Sequence, residues 1–192
     1  MIYLIRHGQT DWNLADKIQG QTDIPLNETG RKQALCLSPQ ISKLHLKQIV
    51  TSDLKRARET AQLLNTEAHV PIISDERLRE INFGDLEGHP VPELTPETWQ
   101  TLSLSGYRFH AESLSDVYRR VQRFFSDLDP ADNTLVVTHG GLLKISSYYI
   151  KNPNQFDYTL FSSMFSSILL PNTTLFRWTE QNDLEQLDNT GI

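Results

Sequence analysis

The sequence contains a single cysteine, two methionines and no long apolar run among its 192 residues. Cys36 alone can form neither an internal disulfide nor a cysteine-based zinc cluster, and such sparse use of cysteine is typical of a reducing compartment. Because Cys36 falls within an apolar helical pattern, we expect it to be a small buried hydrophobic residue. No stretch reaches the length of a membrane span, and Arg6 interrupts the N-terminal apolar run too early for a signal peptide. We therefore expect a cytoplasmic protein without a membrane partner.

Clustered positive charge is also missing from the sequence. Its 18 basic residues are outnumbered by 24 acidic ones, which gives a net charge of −6. Proteins that bind DNA or RNA usually carry a basic patch, so nucleic acid is not an expected partner. The length and the 38% hydrophobic content suit one globular domain over residues 1–192. Nothing in the sequence indicates an oligomeric state.

Three short apolar runs end abruptly in polar residues: YLIRHG at 3–8, IVTSD at 49–53 and TLVVTHG at 134–140. Helical patterns follow Ser52 and Ser113, and a third covers residues 28–43, where we expect Pro39 to break or kink the helix. Strands that alternate with helices predict an α/β fold, a three-layer sandwich whose mostly parallel central sheet is flanked by helices. Because ligands bind at the carboxyl ends of such strands, His7, Ser52 and His139 are expected at one rim.

Two later stretches have weaker patterns. Residues 89–113 hold three prolines and match no long regular element, so we interpret them as a cap or specificity segment over the rim. The side chains that would shape this cap are Trp99, Tyr107, Arg108, Phe109 and His110. Near the C-terminus, SSILL at 166–170 and TTLFRW at 173–178 predict an edge hairpin around residues 171–172.

The polar residues at the predicted rim form a chemically suggestive set. Both His7 and His139 are followed by glycine, Arg6 precedes His7, and Arg56 lies in the first turn of the helix after Ser52. A guanidinium group binds two phosphate oxygens at once, and glycines let backbone amides approach the same anion. The set therefore predicts a site for a phosphoryl group. A metal site is the rival interpretation. The sequence lacks HExxH and paired Cys/His motifs, and arginines repel cations, so we expect neither metal nor cofactor.

Five motifs in order resemble the histidine phosphatase superfamily, in its phosphoglycerate mutase-like branch. They extend from residue 3 to about residue 145 and comprise RHG at 6–8 with Thr10 and Asn13; Gly20, DIPL at 23–26 and Gly30; SDLKRA at 52–57 with Thr60 and Ala61; LRE at 78–80 with Phe83-Gly84 and Glu87-Gly88; and THGG at 138–141. A lone RHG would be weak evidence, whereas five ordered motifs are specific.

The resemblance implies a role for each matching position. His7 would be the nucleophile that takes the phosphoryl group as phosphohistidine, and Glu80 would protonate the leaving oxygen. The groups that hold the phosphate would be Arg6, Asn13, Gln19, Gly20, Arg56, His139 and Gly140. Without the resemblance, a surface ion pair between Arg79 and Glu80 is an open alternative.

Members of this superfamily are either phosphatases or mutases. The cofactor-dependent mutases carry a longer insertion with two adjacent arginines for a second phosphate, whereas here Arg108 is the only arginine between Glu87 and Glu112. The motif at 139–141 also resembles the phosphatase version, although His110 and Ala111 stand where relatives often have glycine. We therefore expect a compact, metal-independent phosphomonoester hydrolase acting on a small phosphorylated metabolite. The alternatives are a cofactor-dependent phosphoglycerate mutase and a noncatalytic phospho-ligand sensor.

Overall fold

A computed structural model of the protein describes residues 1–93, 95–129, 131–165, 170–179 and 181–187. Strands and helices alternate along most of these residues, as the apolar runs and helical patterns predict. In chain order the elements are β1 (Ile2–Arg6), α1 (Asp11–Leu14), α2 (Glu28–Ser42), β2 (Gln48–Thr51), α3 (Lys55–Leu64), β3 (Ile72–Ser74), α4 (Pro96–Leu104), α5 (Leu114–Asp127), β4 (Thr134–Thr138), α6 (Gly140–Lys151), α7 (Tyr158–Phe165), β5 (Leu175–Trp178) and β6 (Leu184–Leu187).

The strands form one six-stranded sheet in the order β3-β2-β4-β1-β5-β6. The first four of these strands are parallel, and β5 and β6 complete the sheet as an antiparallel edge. This confirms the predicted mostly parallel sheet. Arg6 pairs with Thr138, and Thr51 pairs with Val137, so β1, β4 and β2 end side by side. The three polar strand ends therefore meet at one rim.

Strand residues alternate between two cores. Leu4, Val50 and Val136 face a core built with α5 and α6, which also receives Phe161 of α7. Ile5 and Leu135 face a second core built with α2 and α3. The period of two in the strands thus produces three layers, with helices on both faces of the sheet.

Helix α2 corrects two expectations. It runs without a break through Pro39, because this proline is exposed and lies in the last turn, where the lost hydrogen bond faces solvent. Cys36 is exposed rather than buried. The buried residues of α2 recur every three or four positions and include Ala34, Leu37 and Ile41, which places Cys36 on the opposite face.

The segment 89–113 contains more regular structure than we expected. It holds the nine-residue helix α4, flanked by 3₁₀ turns at Val91–Glu93 and Gly106–Phe109. The local signal is Thr95-Pro96, since the Thr95 hydroxyl accepts from the Thr98 amide at 3.2 Å and proline is favoured at the first helical position. Phe109 packs against the buried residues Ile18 and Leu86. The side chains of Trp99 and Tyr107 lie outside the described part of the structure.

Near the C-terminus, TTLFRW contains strand β5 as predicted, and β5 forms an antiparallel pair with β6. Residues 166–169 of SSILL lie outside the described residues. None of the described helices is long and apolar enough to cross a membrane.

Candidate active site

His7 lies directly after β1, where its backbone N–H donates to Thr138 O at 2.9 Å and extends the sheet. The side chain is buried, and its Nδ1 lies 2.7 Å from the carbonyl oxygen of Gly8. Because a carbonyl oxygen only accepts, Nδ1 carries the proton of the neutral ring. Nε2 is therefore left with a lone pair, which is the state that a nucleophilic imidazole requires.

Gly8 is required by packing rather than by anion binding. Its N–H already donates to Thr60 Oγ1 at 3.0 Å. The expectation that this backbone amide approaches the anion is therefore wrong. A Cβ at Gly8 would lie 2.5 Å from the carbonyl oxygen of Gly30, at the start of α2. The glycine therefore lets α2 pack against the loop that follows His7.

Arg56 lies in the first turn of α3 and is fully buried. Its NH2 donates to Gly20 O at 2.6 Å, its NH1 donates to Thr22 O at 2.9 Å, and its Nε donates to His139 Nδ1 at 3.2 Å. A guanidinium has five N–H donors, so two remain for an anion. Burial lowers the pKa of Arg56 to about 10, which still leaves the group charged at neutral pH.

His139 follows β4, and the arginine contact determines its tautomer. Since Nδ1 accepts from Arg56, the proton lies on Nε2. This Nε2 and the Nε of Arg6 are buried and have no hydrogen-bond partner among the described residues. Unpaired buried donors are costly. The ring centroid of His139 lies 5.2 Å from that of His7, and the charge of Arg6 acts on the His7 ring. The two donors fit an anionic ligand bound beside His7.

The remaining part of Arg6 is tied to the C-terminal region, because its NH1 donates to Leu170 O at 2.5 Å. Gly140 begins α6 against this guanidinium, and a Cβ at Gly140 would lie 3.4 Å from Arg6 Nε. Within the described part of the chain, no group of three or more His, Cys, Asp or Glu side chains is arranged to hold a metal ion.

Glu80 is buried at the amino end of α6. Its carboxylate accepts three backbone hydrogen bonds, from Ile81 at 3.0 Å, Gly141 at 2.9 Å and Leu142 at 3.0 Å. The amides of Gly141 and Leu142 thus bind Glu80 rather than a ligand. The alternative of a surface pair with Arg79 is wrong, because Arg79 is paired with Asp53 through two short contacts of 2.8 and 2.5 Å.

The Gln19-Gly20 turn supports Arg56 from the opposite side. Gly20 has a positive φ of 52°, and a Cβ there would lie 2.0 Å from a Glu87 carboxylate oxygen. That carboxylate accepts from the Gln21 and Thr22 amides, both at 2.8 Å. The turn is therefore held so that its carbonyls meet the guanidinium. Gln19 itself is buried, and its Oε1 has no partner among the described residues. A rotation of the Gln19 side-chain amide by 180° exchanges its oxygen and nitrogen and places the N–H₂ group at the position of Oε1.

Asn13 lies in helix α1 and is partly buried. Its Oδ1 accepts from the Thr10 amide at 3.1 Å, which closes a capping box. The side-chain Nδ2 of Asn172 donates both to Asn13 Oδ1 at 3.3 Å and to His7 O at 2.9 Å. The structure therefore brings Arg6, His7, Arg56, Glu80 and His139 into one buried constellation, and it joins Asn13 to the same constellation through Asn172.

This geometry agrees with the comparisons to known proteins. The model of the histidine phosphatase superfamily (branch 1) matches residues 2–177. The chain belongs to this superfamily. A probable phosphoglycerate mutase of Serratia proteamaculans is 36% identical over 148 residues, which cover 72% of this chain and 69% of that protein.

Solved structures of two phosphatases share the fold. A mycobacterial glucosyl-3-phosphoglycerate phosphatase complexed with VO₃ is 27% identical with a TM-score of 0.75, and the match covers 96% of each chain. A phosphoserine phosphatase of Entamoeba histolytica in complex with 3-phosphoglyceric acid is 28% identical with a TM-score of 0.77, covering 97% of this chain and 94% of that one. Phosphatases and mutases thus both occur among the proteins that are similar to this chain.

Sequence reasoning missed two polar residues near this site. Asn172 has no local motif, and it reaches His7 across 165 positions of the chain. Lys144 follows Gly140 by four residues in α6 and therefore lies on the same helix face, next to Arg6. Burial and Arg6 lower the pKa of Lys144, while Glu80 opposes the shift. The spacing of one helical turn after HGG was the available signal for Lys144.

The two histidines predict that the stability of the protein falls in mild acid. Burial first, then Arg56, holds the pKa of both His7 and His139 well below the ordinary value of 6.5. Below pH 6.5 the unfolded chain therefore binds protons that the folded protein excludes, so stability is present above this pH and is lost as the pH falls. Each histidine contributes a slope of up to about 1.4 kcal/mol per pH unit.

Urea unfolding measured between about pH 5 and 7 checks this prediction. The His7→Asn variant should show a shallower dependence of the unfolding free energy on pH than the wild type. His69→Asn, which changes an exposed histidine, is the matched control and should retain the wild-type slope. Equal slopes in wild type and His7→Asn would contradict the account of the buried neutral imidazole.

Proposed function

We propose that this protein is a metal-independent phosphatase that hydrolyses a small phosphomonoester in the cytoplasm through a phosphohistidine at His7. The observation that carries the proposal is the pairing of an Nε2 lone pair on His7 with buried, unpartnered N–H donors on His139 and Arg6. A nucleophile and a set of anion donors that face one another are what phosphoryl transfer needs.

In the first step, His7 Nε2 attacks phosphorus and the bond to the leaving oxygen breaks. Negative charge spreads over the equatorial oxygens, where Arg6, Arg56 and the His139 Nε2–H stabilise it. Arg6 and Arg56 supply the positive charge for which other phosphatases use a metal. Phosphoryl transfer of this kind depends on positioning and electrostatics, which a buried, hydrogen-bonded arginine provides.

Glu80 donates a proton to the leaving oxygen in the first step and accepts one from water in the second. A monoester that enters singly protonated on its phosphate brings one proton, which Glu80 passes to the leaving oxygen. The ionised carboxylate, held by three backbone donors, then accepts a proton from the water that attacks the phosphohistidine. Glu80 returns that proton to the newly formed phosphate, which leaves as H₂PO₄⁻, so that His7 and the Glu80 carboxylate are both regenerated.

The surroundings of the site support a substrate with a second anionic group near its phosphate. Lys144 and Arg6 interact electrostatically and together make these surroundings positive, and phosphoserine and phosphoglycerate both carry a carboxylate that a positive field attracts. We assign residues 89–113 the role of a specificity cap within a single domain of residues 1–192. Asn13, Gln19, Gly20 and Gly140 would complete the phosphate pocket.

A phosphoglycerate mutase is the second candidate, and the similarity to the Serratia proteamaculans protein favours it. A mutase must hold a second phosphate while the first is on the histidine. Arg108, the only arginine of the cap, is exposed, and Lys144 offers one ammonium rather than a pair of guanidinium forks. These features favour hydrolysis, because water intercepts a phosphoenzyme whose acceptor is weakly held.

Product analysis with 3-phosphoglycerate separates the two candidates. We expect inorganic phosphate or no reaction, with no stimulation by added 2,3-bisphosphoglycerate and no loss of activity with a chelator. The assay follows 2-phosphoglycerate and free phosphate together, and a His7→Asn preparation controls for contaminating mutase. Interconversion of the two phosphoglycerates well above the rate of phosphate release would overturn the phosphatase assignment.

A further inference from the structure

Glu80 lies in a segment without regular structure. It falls between two 3₁₀ turns, Glu76–Leu78 and Gly84–Leu86, so no strand ladder or helix fixes its backbone. The proposed proton transfer nevertheless needs the carboxylate to be placed within a hydrogen bond of the leaving oxygen. Contacts from elsewhere in the fold must hold this segment.

Arg120 supplies three of those contacts, beside single bonds from Gln21 to Glu80 O and from Thr138 to Leu78 O. From helix α5, its NH1 donates to the carbonyl oxygens of Arg77 and Arg79, both at 2.8 Å, and its NH2 donates to the carbonyl oxygen of Glu80 at 3.0 Å. The side chain is only 16% exposed, so these bonds are shielded from water. One guanidinium thus binds three carbonyls at and just before Glu80.

Glu112 completes the arrangement from the other side of the segment. Its carboxylate accepts from Arg120 Nε at 3.0 Å and from Arg120 NH2 at 2.9 Å. The same carboxylate accepts from the Asn82 amide at 2.8 Å, and the Glu112 amide donates to Asn82 O at 2.9 Å. Residues 77–82 are therefore held on both sides of Glu80 by one partly buried ion pair.

We propose that Arg120 and Glu112 are positioning residues that set the distance from the Glu80 carboxylate to the leaving oxygen. Neither residue belongs to the constellation around His7, and the inference rests on the proposed role of Glu80 in the phosphatase reaction. A lysine cannot replace Arg120, because a point charge lacks the planar fork that meets three carbonyls and a carboxylate at once. Small displacements of a catalytic group lower the rate strongly, on the order of 10²-fold for about 1 Å.

The test compares leaving groups in Arg120→Lys. An alkyl phosphate such as phosphoserine depends on proton donation, whereas p-nitrophenyl phosphate has a leaving group that needs little help. We expect kcat for the alkyl ester to fall at least ~10-fold more than kcat for the aryl ester, with KM little changed because Arg6, Arg56 and His139 still bind the phosphate. The matched control is Arg119→Lys, which alters an exposed arginine on the same helix that pairs with Asp116.

A double-mutant comparison with Glu80→Gln separates positioning from general destabilisation. Once Glu80 cannot donate a proton, Arg120→Lys should leave the ratio of alkyl to aryl rates unchanged. Glu112→Gln is the second variant if Arg120→Lys melts below the assay temperature, and it should shift the same ratio. Equal losses on both esters, or a shift in ratio that persists without Glu80, would overturn the inference while leaving the proposed function intact. If Glu80→Gln itself does not change the ratio, both the proton role and this inference are wrong.

Discussion

His7→Asn is expected to abolish turnover of phosphomonoesters while the protein stays folded. The asparagine Nδ2 can take the place of the imidazole Nδ1 and donate to the carbonyl oxygen of Gly8, so the local hydrogen bond is kept. No nucleophilic nitrogen replaces Nε2, and water attacking the ester directly must do without the covalent step. We expect kcat on p-nitrophenyl phosphate to fall by more than ~10⁴-fold, measured as release of nitrophenolate.

The control for this variant is another histidine-to-asparagine change. His69 is exposed and has a positive φ of 52°, a conformation that asparagine adopts readily, so His69→Asn should retain full activity. Thermal melting of both variants checks that they are folded. Activity of His7→Asn within tenfold of the wild type would refute the covalent mechanism, and wild-type protein inactive on all esters would favour the noncatalytic sensor.

The second large effect is expected for Glu80→Gln. The amide keeps the size of the side chain but carries no transferable proton, so phosphoserine should lose ~10²–10⁴-fold in kcat, whereas p-nitrophenyl phosphate should lose far less. Steady-state kinetics on the two esters measures this difference. One backbone bond is also lost, because an amide N–H₂ cannot accept from the Gly141 amide.

Glu76→Gln is the matched control, since Glu76 is exposed and only four positions away. It should leave both rates unchanged. A lower melting temperature for Glu80→Gln is compatible with the account, provided that the protein is folded at the assay temperature. Equal losses on the alkyl and aryl esters would show that Glu80 does not handle the proton of the leaving group.

The convergence of His7, Arg56 and His139 could be predicted from the sequence because each lies at or just after the carboxyl end of a parallel strand. Neighbouring parallel strands end at the same rim, so three short patterns were enough to predict the rim. Glu80 is different. It lies in an irregular segment, and only the resemblance to a known family assigned it a role.

The supports of the site could not be predicted from local patterns. Arg120 lies in the middle of a helix whose period explains its position, and its bonds to the Glu80 segment span about forty residues of chain. Asn172 reaches His7 from a turn before β5. Such contacts depend on how the layers pack, and a single sequence contains no periodic signal for them. The burial of Cys36 was predicted wrongly for a similar reason. The apolar residues around Cys36 did not define which face of α2 packs against the rest of the protein.

The most direct test of the central claim is a rapid-quench experiment that follows the phosphoryl group. Wild-type protein is mixed with radiolabelled substrate, stopped in base, digested and analysed by mass spectrometry for the peptide that carries the label. We predict an acid-labile, base-stable phosphoryl group on the peptide that contains His7, formed and hydrolysed at least as fast as steady-state turnover. A label on another residue, or a phosphoenzyme that decays more slowly than the enzyme turns over, would contradict the account.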